Sequence, residues 1–197
     1  MHLVGSIPLE SARDVFDLVG RALRGCCRRI PDGETGDRTN WIGWQLGVFA
    51  RQAALIQSDT KDRDYQIHPP FTFRQNYGPE DLDLGDLGFA REAYSSYALF
   101  EEKQAAGILP EDARFLVAMP TPFAPVYSFT SYAIQSRVFP VYEAAILSEL
   151  RDICRTIPSD KLSIQWDVAT EMSIFEGVYS APLKDPWNDL LARVALG

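Results

Sequence analysis

Five consecutive apolar residues, Phe115-Leu116-Val117-Ala118-Met119, place the tightest limit on what this chain can become. A run that short cannot make a helix of its own, and it fits a strand covered on both faces, as in parallel sheets packed between helices. Parallel strands need long crossover connections. The sequence supplies them. Pro8 starts a helix whose apolar residues Val15, Phe16, Leu18, Val19, Ala22 and Leu23 recur at helical spacing and stop at Gly25, and residues 26–30 follow as a short strand. Beyond Pro120-Thr121-Pro122, residues 142–157 form an amphipathic helix on Ala145, Ile146, Leu150, Ile153 and Cys154, and the strand 162–166 runs directly into Asp167. With Leu3-Val4 as a first short strand, strand and helix alternate four times, an α/β pattern.

Two other stretches read as helix. Residues 39–56 carry Trp41, Ile42, Trp44, Val48 and Phe49, too apolar for a surface helix with one narrow buried stripe, and residues 89–106 end at Gly107. Residues 58–88 differ in character, with charges, His68-Pro69-Pro70, the aromatics Phe71, Phe73 and Tyr77, and an acidic run to Asp86. Loops of that length in compact domains tend to be lids or binding loops. The expectation is one domain over residues 1–197 with an irregular excursion at about 58–88. The end of the chain, through Pro186-Trp187 to Leu190-Leu191, reads as a loop and the opening of a helix.

Charge and cysteine usage bound the partners. The net charge of −8, with basic residues scattered apart from Arg28-Arg29, repels phosphate backbones and argues against nucleic acid or an anionic membrane as a partner. Three cysteines, two of them adjacent at Cys26-Cys27, make neither a disulfide framework nor a metal knuckle. No leader-like segment opens the sequence, and no apolar run approaches the ~20 residues that span a bilayer. A cytoplasmic protein with a small-molecule ligand is the expectation.

Polar residues gather where the strands end. Consecutive βα units bind ligands at the carboxyl ends of their strands, and Ser6, Asp32, Glu34, Thr121 and Asp167 all stand there, with Arg38 and Gln165 close by. The loop 31–38, Pro-Asp-Gly-Glu-Thr-Gly-Asp-Arg, holds more charge than a turn requires. It lacks the third glycine of a dinucleotide loop, no Gly-Lys-Ser/Thr follows any strand, and Asp32, Glu34 and Asp37 would repel a phosphate. That favours a barrel over a doubly wound sheet and a cation over an anion as ligand. Each residue also has a structural reading: Asp167 as a cap, Ser6 as a turn residue, Arg38 as a partner of Asp37 or Glu34. Trp41, Trp44 and Phe49 read as core, Phe71, Phe73 and Tyr77 as a lid or association surface, and Glu171 and Glu176 as solvated.

Three segments carry a resemblance. Val4-Gly5-Ser6-Ile7-Pro8, Gly33-Glu34 followed by Arg38 and Asn40, and Ile164-Gln165-Trp166-Asp167 are similar, in order, to strand-end motifs in the catalytic barrel of cobalamin-independent methionine synthase. The chain thus resembles the N-terminal part of that barrel and the wider group that includes uroporphyrinogen decarboxylase. The resemblance implies a TIM-type (β/α)8 barrel in which Ser6 holds an amino-acid substrate's carboxylate while Glu34 and Asp167 hold its ammonium group. It also implies zinc and a folate methyl donor, and methyl or one-carbon transfer. Where the family has Glu-Pro after the third motif, this chain has Val168-Ala169.

The family binds zinc through a histidine, two cysteines and a glutamate from later strands. Cys26, Cys27, Cys154, His2 and His68 do not stand at those positions, so this chain alone is not expected to hold the metal. A closed barrel takes about 250 residues, and 197 residues with four to five βα units make an incomplete one. Open sheet edges are an aggregation risk unless covered. A fragment of a longer protein, a subunit completed by another copy or a partner chain, and a shortened relative that only binds or assembles all remain open, with a decarboxylase or lyase of the related branch as a further reading.

Overall fold

The computed structural model describes residues 1–62 and 68–179. In chain order its elements are α1 (Ala12–Ala22), β1 (Arg29–Pro31), α2 (Leu46–Ala50), β2 (Leu55–Gln57), β3 (Phe71–Phe73), α3 (Phe89–Ala105), β4 (Arg114–Pro120), α4 (Phe123–Phe129), α5 (Gln135–Thr156), β5 (Leu162–Asp167) and α6 (Ala169–Phe175). They divide between two compact units. Among the described residues no helix is long and apolar enough to cross a membrane.

The first unit comprises Met1–Trp44, Gly88–Met119 and Ser148–Gln165. Its sheet has the order β1-β4-β5, with β1 parallel to β4 and Arg29, Ile30 and Pro31 opposite Arg114, Phe115 and Leu116. Helix α1 is capped by Ser11 and turns Val15, Phe16 and Val19 inward against α3. Phe16, Phe100 and Phe115 meet edge-on or tilted with ring centroids 5.6–6.3 Å apart, so the apolar strand is covered by an aromatic layer. Tyr97 joins this layer, and burial, reinforced by Glu101, pushes its phenol up to about 12. Helix α3 begins after Gly88, whose left-handed φ of 99° leaves room for Trp44 where a Cβ would clash. The Glu149 carboxylate accepts from the Gly88 and Ala90 N–H groups at 3.1 and 2.8 Å, satisfying two of the donors that a helix start leaves bare.

The second unit comprises Gln45–Leu87, Pro120–Leu147 and residues from Trp166 onward. Here β2 and β3 pair antiparallel, Leu55 opposite Phe73. Phe49 stacks on Tyr142 at 5.7 Å, and the Tyr142 hydroxyl donates to Gln45, whose amide nitrogen donates to the Leu87 carbonyl. That buried polar chain is satisfied at both ends, as a dry interior requires. Among its described residues the excursion at 58–88 contributes β3, buried Leu84 and Leu87, and carbonyls of Leu84 and Asp86 that accept from Arg51. Phe71 is buried, Phe73 lies under the Arg137 guanidinium at 4.7 Å, and Tyr77 stays exposed.

These findings correct the expected architecture. The TIM-type (β/α)8 barrel does not form, not even as an incomplete one of four to five βα units. The described residues hold three parallel strands in one sheet and an antiparallel pair in another, and no barrel closes. Leu3-Val4 forms no strand, and Val4 is exposed. The long helix expected at 39–56 breaks into 3-10 turns at Gly36–Asn40 and Gly43–Gln45 and the short α2. Trp41 is left-handed at φ 43°, glycines at 43 and 47 weaken the helix on its carboxyl side, and β2 takes the remainder. The helix expected at 142–157 instead starts at Gln135 and runs through Pro140. Pro140 forfeits one backbone hydrogen bond, but Val138, Tyr142, Ile146 and Ile153 form one fully buried stripe along the helix, and that burial outweighs the lost bond. The helix expected near residues 187–191 lies outside the described residues.

Candidate functional site

The acidic loop leaves β1 through a backbone that few sequences can follow. Gly33, Glu34 and Gly36 all have left-handed φ, 82°, 49° and 68°. A Cβ on Gly33 would stand 2.6 Å from Val15 Cγ2, so α1 is seated directly against the turn. Asp32 is 5% exposed, and its carboxylate accepts from the Glu34 N–H at 3.0 Å, Arg38 at 2.8 Å and the Ser96 hydroxyl at 2.7 Å. Three donors, one of them a guanidinium, satisfy this buried carboxylate and fix the turn around it. Arg38 also lies 3.7 Å from Glu92, so it bridges two acids.

Glu34 is placed differently. Its carboxylate accepts from the Ser6 hydroxyl, and Gly5 lets the N-terminal segment approach, since a Cβ there would lie 3.1 Å from Glu34 Oε2. The Ile7 N–H donates to the Gly33 carbonyl at 2.8 Å, and the Gln165 side chain donates to the Val4 carbonyl. Ser6, Asp32, Glu34, Arg38 and Gln165 are thus drawn together in the first unit. Beside them Asp32, Glu34, Arg38, Phe89, Glu92 and Phe115 enclose a cavity of about 20 Å³, room for a water rather than a metabolite.

Thr121 and Asp167 belong to the second unit. The Thr121 N–H donates to the Asp167 carbonyl at 3.4 Å, and its hydroxyl donates to Glu171. Glu171, expected to be solvated, is 3% exposed: α6 starts immediately after β5 and its first turn folds the side chain inward. The spacing of Glu171, one helical turn past Asp167, was the available signal. Ser96 had a weaker one, a small polar residue on the apolar side of α3.

Among the described residues no group of three or more His, Cys, Asp and Glu stands close enough to hold a metal ion. The three cysteines form no disulfide, Cys27 being buried and Cys26 and Cys154 exposed. Comparison with family models, curated proteins and solved structures finds no match.

Proposed function

We propose that the first unit binds a small amino-acid-like or thiol-bearing ligand at the carboxyl end of β1, in the manner of the methionine-synthase-like group. One observation carries this reading: the Gly5-Ser6 and Gly33-Glu34 segments, far apart in sequence, meet through the Ser6–Glu34 hydrogen bond. A ligand would exchange that bond for its own, its ammonium group taking the Glu34 carboxylate and its carboxylate taking the Ser6 hydroxyl. Asp32 and Arg38 then hold the turn in place. Methyl or one-carbon transfer would need a zinc-bearing second half and a folate donor brought by another chain. Such a partner, or a second copy of this chain, is supported by the end strands β1 and β5 of the sheet. Free cysteines favour a reducing, cytoplasmic setting.

A second reading, a non-catalytic binding or assembly protein, is favoured by the small cavity and by the internal donors that already occupy Asp32. Calorimetry with L-methionine and L-homocysteine as probes separates the two. Glu34→Gln is expected to weaken binding about tenfold or more, because it removes the charge and keeps the shape. Equal affinity in the parent and Glu34→Gln chains would refute the ammonium role, and no binding of either probe would favour the second reading.

A further inference from the structure

The first unit has another polar concavity, at the opposite ends of its strands. Around the amino ends of β1 and β4 lies a cavity of about 730 Å³ lined by His2, Cys26, Arg28, Arg29, Asp112 and Arg114. That volume falls in the range of small-molecule sites. Arg29 and Arg114 are register partners on neighbouring parallel strands, and the Arg114 N–H donates to the Arg28 carbonyl at 2.8 Å, so three guanidinium stems spring from adjoining backbone. All three residues are exposed, and none forms an ion pair with a described residue. Asp112 is the one carboxylate among the described lining residues.

Like charges set opposite each other on neighbouring strands are destabilising. This chain has 27 acidic residues against 19 lysines and arginines, so counter-charges for such a cluster are plentiful in its composition. A ligand with clustered anionic oxygens removes the repulsion, and the guanidinium fork matches phosphate and carboxylate geometry. A long polyanion such as a nucleic acid would also meet the repulsion of a chain with net charge −8, which a small ligand largely escapes. We propose that this cavity binds a small molecule carrying two or more adjacent anionic groups, a diphosphate or a polycarboxylate, through Arg28, Arg29 and Arg114.

Inorganic pyrophosphate and citrate serve as probes in calorimetry at fixed ionic strength. At least one is expected to bind, with Arg29→Gln and Arg114→Gln each weakening it about tenfold and Glu34→Gln leaving it unchanged. Preference for pyrophosphate assigns the diphosphate, and preference for citrate the polycarboxylate. Cys26 gives a readout that needs no arginine variant: in a Cys154→Ala chain its alkylation by iodoacetamide should slow severalfold when the bound probe saturates. Failure of both probes at millimolar concentration, binding that survives both arginine substitutions, or Cys26 alkylation indifferent to the probe would each overturn the proposal.

Discussion

Gly33 and Gly36 share one loop and one backbone region, but their surroundings differ, and that difference can be measured. At Gly33 a side chain meets both a left-handed φ and Val15, whereas at Gly36 nothing lies within 4 Å of the added carbon. Gly36→Ala should cost about 1 kcal/mol from conformation alone. Gly33→Ala should cost about 3 kcal/mol, since overpacking adds to the backbone strain. Urea denaturation of the two variants reads the gap, and equal losses would mean that α1 gives way without cost. The acidic loop was legible in the sequence because its charge exceeded what a turn needs. Ser96 and the inward turn of Glu171 were not, because a small polar residue or one carboxylate on a helix looks the same in sequence whether it faces water or a buried partner.

Two ion pairs join α1 to α3, and they should differ sharply in worth. Arg13 and Glu102 form a bidentate pair at 2.6 and 3.0 Å, but both side chains are about half exposed, so water and salt compete with it. Lys103 donates to Asp17 at 2.6 Å with only 8% of its side chain exposed. Asp17→Asn strands that ammonium in an apolar setting and should cost about 3 kcal/mol, while Arg13→Ala should scarcely move the unfolding midpoint. Comparable losses in thermal melts of the two variants would contradict the ranking. Helical spacing revealed α1, and continuous apolarity revealed β4, because burial writes itself into residue order. The start of α5 and the break-up of residues 39–56 were hidden. The first depends on a buried stripe that overrides Pro140, and the second on a left-handed Trp41 that no periodicity announces.

A sheet of three parallel strands has two ends, here β1 and β5. If a second copy or a partner chain covers them, multi-angle light scattering of the purified chain should return a mass of at least two protomers. A monodisperse monomer of 22.1 kDa would count against self-association as the cover. The barrel expectation failed at this level although most strand positions behind it were sound. Parallel strands in series fit both a closed ring and a short open sheet, and only the pairing partners of each strand tell them apart.

The pairing of Arg29 with Arg114, and of β4 with β5, sets an order of events during synthesis. As the chain emerges from a ribosome, β1 has no neighbour until residue 114 is out, and the sheet is incomplete until β5 joins it. The second unit is interleaved with the first along the chain, so neither can finish early. Apolar segments such as Phe115–Met119 must therefore wait while their partners are made, and nascent chains of this kind are natural clients for chaperones that shield unpaired strands.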